Sequence, residues 1–198
     1  LGDKKSVYQK VTNLRGANKL YDTIHQHKNA DVLTVVYNFV DALSHAKTDT
    51  EVVRELASDD SAYRRLVKTW LEGSPLLKML QWASKQGFTV VLTTDHGTVN
   101  VHRPSKVVGT KHLTTNLRYK TGNGMSYQSK HSFVVKDPSV IGLPKQHIAD
   151  ECIFALSDLF YVYPNRYNHF VQYYRNTYQH GGVSLEELII PYAVLTSK

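Results

Sequence analysis

The sequence contains one cysteine, Cys152, and no apolar run that approaches the ~18 residues needed to cross a bilayer. A single cysteine cannot form an internal disulfide, so we expect a cytoplasmic protein in a reducing compartment. The chain also lacks an initiator methionine and a signal-like apolar start, since it opens on Leu1-Gly2-Asp3-Lys4-Lys5. We therefore expect a piece of a longer protein that neither enters a membrane nor relies on disulfides.

The composition is that of an ordinary globular domain with a basic balance. The 198 residues include 41% hydrophobic and 21% charged residues, and the formal net charge is +7. A chain of this length can bury roughly 70% of its unfolded surface without covalent staples. The positive charge favours anionic partners such as phosphate esters, nucleotides or nucleic acid. Because the basic residues are spread along the chain, a small anionic substrate is favoured over a non-specific DNA binder.

Two apolar, β-branched runs define the predicted α/β fold. The runs over 32–40 and 88–94 are typical of strands buried on both faces of a parallel sheet. Helical periodicity fills the interval between them, with Thr50 and Ser61 as possible caps, Ser74-Pro75 as a helix start and Gly87 as a left-handed end. This strand–helix–strand order predicts a crossover connection within a mostly parallel sheet.

The other segments give weaker signals. The pattern predicts a surface helix over 4–29, a β segment over 98–108, a strand over 132–136, an aromatic helix over 168–178, a capping box from Ser184 to Glu187, and an edge strand over 188–195. Residues 110–130 are polar and without apolar periodicity, so we expect a long surface excursion at about 98–131.

Carboxylates and imidazoles follow the predicted strands. Asp41 and His45 come after the first strand, Asp95 and His96 after the second, and His180 precedes a glycine pair. Ligands bind beyond the carboxyl ends of strands in open α/β sheets, and this donor set suits Zn²⁺ or Mn²⁺. Two metals roughly 3.5–4 Å apart would suit phosphoryl transfer.

Each of these residues also has an ordinary structural interpretation. Asp41 could cap a helix, His45 could be a surface imidazole, and His180 could bond only to backbone. Taken together, their shared placement at strand and turn ends favours a metal site. Five other histidines are interpreted as structural or surface residues, namely His25, His27, His102, His147 and His169. The role of His112 and His131 is left open.

Three motifs carry a resemblance to a known family. Asp41-x-x-x-His45, Thr94-Asp95-His96-Gly97 and the late run that starts at His180-Gly181-Gly182 and ends at Glu186-Glu187 resemble the alkaline phosphatase superfamily. The late run and Leu117-Arg118-Tyr119-Lys120 are most similar to PglZ domains, in particular the effector domain of PorX-type response regulators. The resemblance covers nearly the whole chain.

The resemblance implies a fold and a metal centre. The fold would be a three-layer αβα arrangement with a mostly parallel central sheet, lacking its N-terminal part. Asp41, His45 and His180 would hold one zinc, and Asp95 and His96 would hold the other. The family's Thr or Ser nucleophile and an early Asp are not found in this chain, so no catalytic nucleophile is assigned and the chain alone would be inactive.

The candidate nucleophiles in the first thirty residues fail on their predicted placement. Ser6, Thr12 and Thr23 do not lie at a predicted strand-to-helix junction. Arg118, Lys120 and Lys111 are the candidates for contact with the substrate's phosphate oxygens, because basic side chains bind such oxygens. A solvated loop is the alternative interpretation of these three residues.

The function implied by the resemblance is a zinc-dependent phosphodiesterase or phosphatase effector domain of a two-component response regulator. Its substrate would be a phosphate ester or nucleotide. Its partners would be a receiver-type N-terminal segment and a sensor kinase or transcription partner. The alternatives are a non-catalytic protein-docking module, which the tyrosine-rich segment 161–178 supports, and a nucleic-acid binder whose affinity would fall steeply with salt.

Overall fold

The computed structural model describes residues 3–109, 113–145 and 147–197. The chain divides into two compact units, one formed by Leu1–Leu92 with Tyr192–Lys198 and the other by Thr93–Pro191. Both units combine helices with short strands, so the predicted mixture of helices and strands is confirmed. None of the described helices has the length and apolar character that crossing a bilayer requires.

The first unit alternates strands and helices. Its elements are β1 (Ser6–Val11), α1 (Leu14–Thr23), β2 (Val32–Tyr37), α2 (Phe39–Asp49), α3 (Glu51–Leu56), α4 (Asp60–Gly73), α5 (Pro75–Lys85), β3 (Val90–Thr93, whose last residue belongs to the second unit) and β12 (Tyr192–Leu195). A short 3₁₀ segment, Ile24–His27, follows α1. Strands β1 and β2 pair in parallel, from Ser6 opposite Val32 to Val11 opposite Tyr37.

Strand β1 corrects the helix expected over 4–29. Burial alternates along the strand and ends on Val11, which is 2% exposed. This period of two is that of a strand with one face covered, and the lysines obscured it in the sequence. Helix α1 starts only at Leu14, where the Asn13 side chain accepts a hydrogen bond from the Gly16 N–H at 2.8 Å.

The helix boundaries of the first unit follow the capping signals closely. Ser74 caps α5 by accepting from the Leu77 N–H at 3.4 Å, with Pro75 at the first helical position, as predicted. Gly87 has the expected left-handed conformation, with φ 75°. The predicted cap Ser61 is wrong, because the Asp59 carboxylate accepts from the Ala62 N–H at 2.7 Å and starts α4.

The core of the first unit lies between α1, α5 and the parallel strand pair. Its fully or nearly buried members are Val11, Ala17, Leu20, Ile24 and Met79. Partly buried side chains of β2 and α5 pack against this cluster, among them Val35 and Leu76. Helices α1 and α5 are amphipathic, so each contributes one apolar face.

The prediction that β3 is buried on both faces is wrong. Val91 and Leu92 are 51% and 47% exposed. Strand β3 pairs with β12 in a two-stranded sheet, and Val194 of β12 is also exposed. A continuous β-branched run does not require burial, since the same residues are favoured on any extended, pleated backbone.

The second unit contains most of the strands. Its elements are β4 (Val99–Val101), β5 (Arg103–Val108), β6 (Tyr119–Gly122), β7 (Ser126–Tyr127), β8 (Ser132–Val135), β9 (Glu151–Ala155), β10 (Leu159–Val162), α6 (Tyr167–Tyr174), β11 (Thr177–Gln179) and α7 (Leu185–Leu188). Two 3₁₀ segments, Ser129–His131 and Pro138–Ile141, complete it.

Strand β10 of the second unit is buried along its whole length. All four of its residues are at most 4% exposed. Leu159 and Tyr161 pack into one hydrophobic cluster, while Phe160 and Val162 pack into another. Because alternate residues of a strand point to opposite faces, β10 separates the two halves of this core.

The described strands form five small sheets of mixed direction. The pairs β1–β2 and β5–β10 are parallel, whereas β4–β11, β5–β7, β6–β9 and β8–β9 are antiparallel. The expected mostly parallel central sheet is therefore not found among the described residues. The prediction rested on a crossover that would place β2 and β3 in one parallel sheet, but β2 pairs with β1 and β3 pairs with β12.

The segment predicted as a polar excursion is largely ordered. It contains β4 to β7, and its Arg118 and Lys120 side chains are both 0% exposed. The polar composition misled the prediction because Arg118 pairs with the Glu187 carboxylate and Lys120 donates to the Thr114 carbonyl oxygen, both inside the unit.

Candidate metal centre

Asp41 and His45 lie together on one face of α2. They are four residues apart, and the His45 Nε2 atom lies 3.5 Å from Asp41 Oδ1. The Asn38 side-chain amide lies 3.5 Å from the other carboxylate oxygen. Asp41 sits in the first turn of the helix, where its negative charge is favourable. The first unit thus presents one carboxylate and one imidazole side by side, with 39% and 64% of their side chains exposed.

The second pair follows β3 directly. Asp95 Oδ1 lies 3.8 Å from His96 Nε2, and the Asp95 side chain is 88% exposed. His96 Nδ1 lies 3.0 Å from the Gly97 carbonyl oxygen. Since a carbonyl oxygen can only accept, Nδ1 carries the hydrogen in this contact. The lone pair of the neutral ring is then on Nε2, which is the arrangement a metal ligand needs.

His180 joins this pair from a distant part of the same unit. Its ring stacks on that of His96 with a centroid distance of 3.9 Å and an interplanar angle of 13°. Two imidazoles and the Asp95 carboxylate are therefore gathered by two segments, residues 95–96 and residue 180. This convergence is the part of the predicted site that the second unit itself brings together.

The environment of Asp95 favours its ionised form. Burial would raise the pKa of this carboxyl group, but hydrogen bonds from backbone N–H groups, the adjacent His96 and the Thr94 hydroxyl together lower it. The Thr94 hydroxyl lies 3.3 Å from Asp95 Oδ1. A carboxylate held in its charged form is ready to bind a cation.

A buried ion pair holds the turn that carries His180. Arg118 Nε donates to Glu187 Oε1 at 2.9 Å and Nη2 donates to Oε2 at 2.8 Å. The two side chains are 0% and 2% exposed. The same carboxylate accepts from the Gly182 N–H at 2.9 Å and from the Ser184 N–H at 3.1 Å. Glu187 therefore fixes the backbone two residues after His180.

The Arg118 side chain makes two further hydrogen bonds, both to backbone carbonyl oxygens. Nη2 donates to the Ala155 carbonyl oxygen at 3.1 Å, and Nη1 donates to the Leu159 carbonyl oxygen. Burial would raise the pKa of Glu187, but the hydrogen bonds and charge of Arg118, together with the two backbone N–H groups, lower it. We name this pair, with its backbone partners, the Arg118–Glu187 clamp.

The clamp also reaches the segment that carries Asp95 and His96. The Gly97 N–H donates to the Glu187 carbonyl oxygen at 2.9 Å. A Cβ atom at Gly97 would lie 2.0 Å from the Glu186 carbonyl oxygen, so only glycine fits this approach. A Cβ atom at Gly182 would likewise lie 2.6 Å from Glu187 Oε2. The glycines of both motifs thus allow the two segments to pack onto the start of α7.

The residues assigned to substrate contact have other surroundings. Arg118 is buried, and its guanidinium group donates to Glu187, Ala155 and Leu159 in the clamp. Lys120 is buried, and its ammonium group donates to the Thr114 carbonyl oxygen at 2.7 Å. Lys111 lies outside the described residues. Sequence reasoning treated Glu187 only as part of a capping box, which is present, and missed its pairing with Arg118.

The placement of Thr12 also differs from the expectation. Because β1 ends at Val11 and α1 begins at Leu14, Thr12 lies at a strand-to-helix junction. The Asn38 N–H donates to the Val11 carbonyl oxygen at 3.0 Å, so the chain leaves β1 beside the start of α2. The expectation that Thr12 lies away from any strand-to-helix junction is therefore wrong.

The donor set fits a divalent transition metal. Imidazole nitrogen and carboxylate oxygen are both accepted by Zn²⁺, and each unit offers both types of atom on neighbouring side chains. In the second unit, Asp95 and His96 are followed by Gly97, whose N–H donates to the backbone of Glu187 in the buried ion pair, and this contact restrains the segment that carries both donors. The composition of both pairs is thus compatible with zinc.

Comparison with known proteins assigns the family. Residues 4–196 match the family described as the BREX system PglZ alkaline phosphatase-like domain. A search of curated proteins found no match. The family match spans nearly all of the chain, including Asp41, His45, Asp95, His96 and His180. The chain therefore belongs to the PglZ alkaline phosphatase-like family.

Proposed function

We propose that this domain is a zinc-dependent phosphoesterase, acting on phosphodiesters or phosphomonoesters. The observation that carries the proposal is the stacking of His96 and His180 beside Asp95, since it gathers three ligand-type side chains although 83 residues separate the two histidines in the sequence. The family match supports the same reaction class. Asp41, His45 and His180 are assigned to one zinc, and Asp95 and His96 to the other.

Each side chain of the site has a defined task in this proposal. Bound zinc would supply Lewis-acid stabilisation of charge on phosphate oxygens. Asp95, whose pKa is lowered, contributes permanent negative charge at neutral pH. His96 presents Nε2 because its Nδ1 is occupied by the Gly97 carbonyl oxygen. The Arg118–Glu187 clamp holds the backbone next to His180 and thereby orients that imidazole.

The biological setting belongs to the same proposal. We place the domain in the cytoplasm as the effector part of a two-component response regulator, with a receiver-type segment, a sensor kinase or a transcription partner as interaction partners. The buried, reduced Cys152 is compatible with a reducing compartment. The nucleophile is not expected in the segments that carry Asp41, Asp95 or His180. Within this chain, Thr12 is the residue to test for that role.

Metal content measures the first half of the proposal. After equilibrium dialysis against zinc, the wild-type protein should retain at least one zinc per chain, as determined by mass spectrometry. His180→Ala should lower this content, whereas His25→Ala, which removes an exposed imidazole of α1's 3₁₀ extension, should not. Equal zinc content in wild type and His180→Ala would remove the metal assignment.

Hydrolysis measures the second half. The full-length protein should hydrolyse bis(4-nitrophenyl) phosphate or 4-nitrophenyl phosphate, and Asp95→Ala should abolish this turnover. Turnover that survives Asp95→Ala would rule out catalysis at this centre. Zinc binding that depends on His180 without any turnover would instead favour a protein-docking module with a structural metal.

A further inference from the structure

A cavity of about 690 Å³ lies within the second unit. Most of its wall is apolar or aromatic. The residues that line it include Leu117, Lys120, Tyr163, Phe170 and Tyr174. Cavities of 300–1,000 Å³ with apolar walls and few polar groups are typical of small-molecule sites. Thr115, which is exposed, also lines the cavity, so a ligand has a route from solvent.

Among the described residues that line this cavity, Lys120 is the one with a cationic side chain. The Lys120 side chain is 0% exposed, and its ammonium nitrogen lies 4.6 Å from the centroid of the Tyr163 ring. Its hydrogen bond to the Thr114 carbonyl oxygen uses one of three N–H donors. Within the described residues, no carboxylate lies at ion-pair distance from it, and the undescribed positions include no Asp or Glu. The ammonium is thus buried without a counter-charge.

A buried ammonium of this kind is expensive unless an anion accompanies it. Removing an ion from water costs several kcal/mol, and one carbonyl and one ring face offset only part of that. Burial lowers the pKa of Lys120 to about 8, so the group still carries its charge at pH 7. An acidic group in the cavity would complete its coordination, and the aromatic wall would cover the rest of the ligand.

We propose that this cavity binds an organic anion in which one acidic group is joined to an apolar or aromatic body. The acidic group would pair with the Lys120 ammonium. The body would lie against Leu117, Tyr163, Phe170 and Tyr174. This proposal rests on the cavity and on Lys120 alone, and it stands whether or not the domain hydrolyses phosphate esters.

Two fluorescent probes of similar shape test the charge requirement in the wild-type protein. The first is 8-anilinonaphthalene-1-sulfonate, and the second is N-phenyl-1-naphthylamine, which lacks the sulfonate. At pH 7 the sulfonate should bind with a stoichiometry of one per chain and about tenfold more tightly, because a charge-assisted hydrogen bond to Lys120 adds to the shared aromatic contact. Equal affinities, or no binding of the sulfonate, would overturn the proposal.

Variants then locate the site. Lys120→Met should remove the preference for the sulfonate and leave binding of the neutral probe, whereas Thr115→Trp should block both probes at the cavity mouth. Lys106→Met is the matched control, since Lys106 also lies over a tyrosine ring, at 5.1 Å from that of Tyr167, but is exposed. A sulfonate affinity that Thr115→Trp leaves unchanged would overturn the proposal even if Lys120→Met does not fold.

Discussion

The Arg118–Glu187 clamp makes a strong prediction about stability. Glu187→Gln keeps the shape of the side chain but leaves the Arg118 guanidinium buried without its counter-charge. Because both side chains are almost fully buried, solvent does not screen the loss. Breaking a buried pair on one side typically lowers the free energy of unfolding by about 3–5 kcal/mol, and we expect a loss in that range.

Urea unfolding followed by far-UV circular dichroism measures this change. The exposed neighbour gives the control, since Glu186→Gln should alter the free energy of unfolding by less than about 0.5 kcal/mol. The double variant Arg118→Met with Glu187→Gln should lose less than the sum of the two single losses, because no unpaired charge remains. A loss below about 1 kcal/mol for Glu187→Gln, with intact folding, would refute the reasoning.

The pH dependence gives the clamp a signature that a packing defect lacks. The pKa of Glu187 is lower in the folded protein than its ordinary value of 4.5. Its stabilisation is therefore complete above pH 4.5 and is lost as the pH falls through the folded-state pKa. The difference in unfolding free energy between wild type and Glu187→Gln should shrink below pH 4.5. A difference that stays constant under acid would contradict a charge-based clamp.

Two further substitutions test local geometry by thermal unfolding. Gly97→Ala places a methyl group 2.0 Å from the Glu186 carbonyl oxygen and should lower the free energy of unfolding by about 1–3 kcal/mol. Gly73→Ala is the control, because a methyl group there would have nothing within 4 Å, and it should be neutral or stabilise by up to about 1 kcal/mol. Equal effects of the two substitutions would contradict the crowding at Gly97. Asp59→Ala removes the acceptor for the Ala62 N–H and should cost about 1 kcal/mol, and an unchanged melting temperature would show that α4 does not depend on this cap.

Local chemistry explains which parts of the fold were predictable from the sequence. Ser74-Pro75 and the Ser184–Glu187 capping box specify their own helix starts through short-range hydrogen bonds, and both are found where the sequence indicates. Strand β1 was missed because its pairing with β2 is a long-range contact. Polar side chains on both of its faces, Lys10 on the exposed face and Gln9 on the partly buried face, also hid the period of two.

The same distinction applies to the candidate site. The pairs Asp41–His45 and Asp95–His96 are local in sequence, and their proximity follows from helix spacing or adjacency. The stacking of His180 on His96 was predictable only through a shared motif order, because it depends on tertiary packing. The burial of Arg118 could not be predicted from the polar residues around it, because its partner Glu187 lies 69 positions away in the sequence.

The most direct measurement of the proposed centre is an anomalous-difference map, recorded at the zinc edge from crystals of the full chain equilibrated with zinc. The proposal predicts a peak within about 2.0–2.2 Å of imidazole nitrogens of His96 or His180, with a carboxylate oxygen of Asp41 or Asp95 in the same coordination sphere. Zinc bound only at other histidines, or no ordered zinc at all, would contradict the account.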